Sequence, residues 1–177
     1  RVRRSAALAH RRLLDCQQIA QQIAKDRHFL QATSPDTLDR HRSIQALFEQ
    51  SWQFLSQPEQ TVLAQIAVFS GRFTLEAALA VTEATLPILL TLVDKSLVQA
   101  GEEGYYTLHP LVHQFARENL RNAAATYEAH SRYFLTLAQG YEAALYGPQA
   151  QQVVQQLRLV QGDLTLAWHT ALAQEAW

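Results

Sequence analysis

Helical periodicity runs through almost all of this chain and fails in one place. Leu97-Val98-Gln99-Ala100 and Tyr105-Tyr106-Thr107-Leu108 flank Gly101-Glu102-Glu103-Gly104. Two short runs around a four-residue, glycine-bounded turn predict a β-hairpin. Pro110 then suits the first turn of a helix whose inner face is Leu111, Val112, Phe115, Ala116 and Leu120. His109 falls where the second strand ends and that helix begins. The free N–H groups of a helix start face anions, and a titratable side chain beside them can share a phosphate. His109 is therefore the candidate nucleotide-sensing residue of the sequence.

The hairpin is preceded by helices. Ile44, Leu47, Phe48, Ser51, Trp52 and Leu55 lie on one face of a helix expected from about Arg40 to Leu55. Ser56, Pro58 and Glu59 read as cap, first-turn proline and third-position acid of a second helix carrying Val62, Leu63, Ile66 and Ala67. Thr74 caps a third, Leu75 to about Val81, and Thr85 with Pro87 opens a fourth, Ile88 to Lys95. Several helices followed by a small hairpin are the parts of a winged-helix domain, here residues 38–122. Residues 1–37 are a helical segment ended by the loop chemistry of Thr33-Ser34-Pro35-Asp36. Residues 123–177 are helical throughout. Tyr127, Tyr133, Phe134, Leu137, Tyr141 and Leu145 stripe one long helix, Gly147-Pro148 breaks it, and Gly162-Asp163 starts the last. Helices joined by tight glycine turns suggest an antiparallel, tetratricopeptide-like array. The expected fold class is mainly α, with one winged helix between two helical segments.

Composition removes several classes of function. With 15 Lys and Arg against 16 Asp and Glu, no bulk charge favours nucleic acid or an acidic membrane. No apolar run approaches the roughly 20 residues of a membrane span. The single cysteine, Cys16, cannot form an internal disulfide and suits a reducing, cytoplasmic setting. The chain starts RVRR and contains no methionine, so it is expected to be an internal piece of a longer protein.

No catalytic constellation is present. Neither G-x-x-x-x-G-K-[ST] nor G-x-G-x-x-G occurs, nor a nucleophile elbow, so the fragment is not expected to be an enzyme. His109 and His113 have zinc-ligand spacing but lack a third ligand, so no metal is expected. The would-be recognition helix, Thr85 to Lys95, offers one cation at its far end, and the wing tip carries Glu102 and Glu103. Base and phosphate contacts need Arg, Lys, Asn or Gln early in such a helix. DNA binding by this domain is therefore not expected. Arg40 and Arg42 open their helix as a basic knot and are candidates for an interdomain or nucleotide contact, although a solvated first turn is the plainer account. Trp52, Phe69, Phe73 and Trp168 are expected in the core.

RHRSIQALFEQSWQFLSQPEQTVLAQIAVFSGRFTLEAALAV, then LLTLVDKSLVQ, then YYTLHPLVHQFARENL, resembles the winged-helix region of STAND-type signalling ATPases. These are AP-ATPase or NB-ARC relatives, and the bacterial regulators with LuxR-type or AfsR-type outputs are the nearest branch. The resemblance covers about Leu8 to Trp177, and the tail is similar to the start of the tetratricopeptide-like region. It implies that residues 1–37 end a small helical domain of the ATPase module. It also implies that ADP or ATP with magnesium is held by a nucleotide-binding domain in cis, upstream of Arg1. In that family a Met-His-Asp signature closes the winged helix, and its histidine reaches the β-phosphate of ADP. Leu108-His109-Pro110 stands at the matching place. The resemblance thus gives His109 the sensor role, while Pro110 removes the acid. It further implies a signal-transduction protein, a transcriptional regulator, whose C-terminal helices meet an inducer or protein partner. A DNA-binding module and a passive helical scaffold are the alternatives.

Overall fold

The computed structural model describes residues 48–175. Within them the chain is mainly helical with one small antiparallel sheet. It enters in helix (residues 48–53) and then forms α1, Gln57–Ile66. The start of α1 follows from its sequence: Glu59, at the third position, accepts the Ser56 backbone N–H at 2.6 Å. Strand β1, Phe73–Thr74, leads directly into α2, Leu75–Val81, where the Thr74 hydroxyl accepts the Ala77 N–H at 3.1 Å. Thr74 is thus both strand residue and cap.

Helix α3 spans Leu86–Asp94 and begins two residues earlier than the expected Ile88. It ends by turning Ser96 into the left-handed region, φ 58°. Ser96 N–H then reaches Val93 O at 2.8 Å and Leu97 N–H reaches Leu92 O at 3.0 Å. This is a Schellman closure made with serine where glycine is usual. The hairpin is real: β2, Gln99–Ala100, and β3, Tyr105–Thr107, flank a short turn with Glu103 at φ 58° and Gly104 at φ 76°. Strand β3 lies between β1 and β2, pairing Tyr106 with Phe73 on one side and with Ala100 on the other. Helix α4, Pro110–Glu118, follows.

The C-terminal part is α5 (Ala123–Gly140), a 3₁₀ turn at Ala143–Tyr146, α6 (Ala150–Leu159) and α7 (Gln161–Glu175). The long helix expected through Leu145 stops at Gly140, a poor helix former. Helix α7 packs along α5, and α5 packs on α2.

One apolar cluster crosses all of this. Val62, Leu63, Ile66 and Phe69 from α1 and its exit meet Phe73, Ala78, Leu89, Leu92, Val112 and Ala116. Phe134 of α5 and Ala167 of α7 belong to the same cluster. Phe69 is its centre: its ring stacks on Phe73 at 4.8 Å and meets Phe134 edge-on at 6.2 Å. The expected segments 38–122 and 123–177 are therefore in direct apolar contact where they are described. Trp168, expected in this core, is 58% exposed. The inner stripe of α7 runs through Asp163 and Ala167, and Trp168 lies one residue, about 100°, round the helix from it.

Candidate functional site

His109 stands at the start of α4 as its N-cap. Extended backbone at His109, ψ 140°, delivers the chain from β3 into the helix, and Pro110 takes the first helical position where no N–H is needed. The His109 Nδ1 accepts the Leu111 N–H at 3.3 Å. That bond assigns the neutral tautomer: the proton sits on Nε2. The side chain is half-buried, and burial lowers its pKa from the ordinary histidine value. Both effects favour a neutral imidazole whose Nε2–H points away from its own helix start. Among the described residues this Nε2 has no hydrogen-bond partner. An unpartnered N–H on a neutral ring is a donor that fits a phosphate oxygen without bringing in a charge.

His113 lies one turn further along α4 and does something different. Its Nε2 is 3.0 Å from Phe69 O, in the turn between α1 and β1. The two histidines do not form a ligand pair, and no group of three or more His, Cys, Asp or Glu comes together for a metal among the described residues. Arg40 and Arg42 lie outside the described residues.

The α3 surface carries little that a phosphate backbone could use. Leu86 and Leu90 are 46% and 48% exposed. Lys95, its terminal cation, is held by Glu59 of α1, with Nζ 2.9 Å from both carboxylate oxygens. Burial alone would raise the Glu59 pKa. The Lys95 hydrogen bond, the Ser56 groups and the Lys95 charge outweigh it and hold the carboxyl below its usual value. At the hairpin turn Glu103 is exposed, and beside it Arg72 lies 4.2 Å over the Tyr105 ring.

A second polar cluster sits deeper, between α5, α7 and the α1–β1 turn. Asp163 Oδ1 accepts the Ser70 N–H at 2.7 Å and lies 3.0 Å from His130 Nε2. His130 is fully buried and rests against Phe134, ring centroids 4.6 Å apart. Sequence reading missed this cluster. Its members are 33 and 93 positions apart, and stripes are counted in apolar residues. The one legible hint was Asp163 in the first turn of a helix, where an acid suits the helix dipole.

No protein-family model matches the chain, and no curated protein or solved structure is significantly similar to it.

Proposed function

We propose that this chain is the regulatory part of a STAND-type signal-transduction ATPase. In this reading the hairpin-bearing domain answers to the nucleotide held by a domain in cis, and the C-terminal helices carry that state to a partner. The observation that carries it is His109: a neutral, half-buried helix cap whose Nδ1 is committed to Leu111 and whose Nε2–H has no partner among the described residues. Such a donor would meet the phosphate of a bound ADP, and the nucleotide supplies the two-state bias.

The element order supports reading residues 38–122 as a winged helix: α1, β1, α2, α3, then the hairpin, with β3 between the other two strands. Successive helices α5, α6 and α7 agree with the start of a tetratricopeptide-like region. Leu159, Trp168 and Leu172 are exposed there, which suits a protein partner. The exposed leucines of α3 and the engagement of Lys95 by Glu59 count against direct DNA binding. Magnesium and ATP belong to the domain in cis, and no catalytic role is assigned to these residues. No single helix among the described residues is long and apolar enough to cross a membrane.

The test is His109→Ala in the full-length protein. Purified wild type is expected to retain ADP, and the variant is expected to lose it and to signal without inducer. Equal ADP content and equal output would remove the sensor role. Salt-sensitive binding of duplex DNA by this chain would favour the DNA-binding alternative instead.

A further inference from the structure

One peptide group is gripped from both sides. The carbonyl of Phe69 and the N–H of Ser70 belong to a single trans peptide plane and point in opposite directions. On the carbonyl side stands His113 Nε2 at 3.0 Å, from α4, one turn after His109. On the N–H side stands Asp163 Oδ1 at 2.7 Å, from the first turn of α7. His130 of α5 backs the same Oδ1 at 3.0 Å. A carbonyl oxygen can only accept, so His113 donates from Nε2.

Three further features show that this contact is built rather than incidental. The Asp163 and His130 side chains are 3% and 0% exposed, so the carboxylate is shielded from water. His130 leaves Nδ1 buried with no hydrogen-bond partner among the described residues, so its ring is placed for the Nε2 contact at a cost. Gly162, next to Asp163, lets α7 start against the turn: a Cβ there would lie 3.0 Å from the Ser70 Cβ.

We propose that the Phe69–Ser70 peptide is a clamp through which α4 and the α5–α7 pair set each other's position. The plane is rigid, so a shift of His113 that turns the carbonyl also turns the N–H away from Asp163. The two bonds also reinforce each other electronically: an amide whose oxygen accepts a bond is a better N–H donor. Coupling of this kind is reciprocal, so displacement of α7 must also loosen α4. The proposal rests on the reading of α4 as the sensing helix only for its biological use. The mechanical link itself is a property of this chain without nucleotide.

The experiment is amide hydrogen exchange on the 177-residue chain, read helix by helix, because coupling must be shown as a response at a distance. His113→Phe keeps a ring and removes the donor. It is expected to raise exchange across α7 at least about fivefold and to leave α3 within about twofold of wild type, as a local opening does. No change in α7 would overturn the clamp. An equal rise in every helix would also overturn it, since that is global destabilisation. Should His113→Phe not fold, Asp163→Ala reads the other end. It removes the acceptor of the Ser70 N–H, and it is expected to speed exchange in the first turns of α4 while α3 stays within about twofold of wild type. Unchanged α4 would overturn the proposal. Because no nucleotide is involved, a failed clamp leaves the His109 sensor standing, and a failed sensor leaves the clamp.

Discussion

Phe69 is the residue whose removal most severely tests the packing described here. It is 1% exposed, and its ring contacts Phe73, His130 and Phe134, so it joins the hairpin-bearing part to α5. Truncating a buried phenylalanine to alanine costs about 3–5 kcal/mol through lost transfer energy and the cavity left behind. That range already contains the lost aromatic pairs, each worth about 0.5–1.5 kcal/mol beyond area. A loss of about 4 kcal/mol is a large share of the ~5–15 kcal/mol that holds a domain together. With a urea dependence of about 2 kcal/mol per molar, the midpoint should fall by about 2 M for Phe69→Ala. Phe69→Leu keeps most of the volume and should fall by less than half as much. The assay is urea unfolding followed by far-ultraviolet circular dichroism and, separately, by tryptophan fluorescence. Trp52 reports near Phe115, and Trp168 reports from α7. Both signals should move together, because Phe69 serves both halves. A shift below about 0.5 M, or a variant in which only one signal moves, would refute a shared core centred on this ring.

Two further outcomes follow from local structure. Glu59 is an acid whose folded pKa lies below its unfolded value, so its stabilisation is present above pH ~4.5 and is lost as pH falls through the lower, folded value. Glu59→Gln should cost about 1–2 kcal/mol near neutrality, typical of a charge-assisted bond, and should flatten the acid limb of a stability–pH curve; an unchanged limb would mean that the Lys95 pair contributes nothing. Ser96 holds φ 58° in the closure of α3, so Ser96→Gly should raise stability by about 0.5–1 kcal/mol in the same unfolding assay, and a loss would show that the serine side chain matters more than its backbone strain.

What could be seen in the sequence was local. Ser56 with Glu59, Thr74, and Pro110 after His109 start their helices in the structure because caps act over three or four residues. The hairpin was legible because its two glycines bracket the turn. Strand β1 was not, since two residues carry no period. The partner of the α3 cation Lys95 was not legible, because Glu59 lies 36 residues earlier. Trp168, expected in the core, lies outside it for a related reason: the buried face of α7 runs through a polar residue, Asp163, which apolar periodicity does not mark. The His130–Asp163 pair shows the same limit. A buried polar group is held by partners distant in sequence, and only the fold brings them together. For His109 the sequence supplied its position, and the structure supplied its tautomer and a ring nitrogen with no partner among the described residues.

That nitrogen is where the central claim is most directly measured. Nitrogen-15 spectra of the His109 imidazole would be recorded in the full-length protein loaded first with ADP and then with ATP. In both states Nδ1 should accept from Leu111, and in the ATP state, where no phosphate meets the ring, it should titrate below the ordinary histidine value of 6.5. In the ADP state alone, Nε2–H should move to the position of a donor bonded to phosphate. An Nε2 resonance that is the same in both states, or a proton found on Nδ1, would contradict the account.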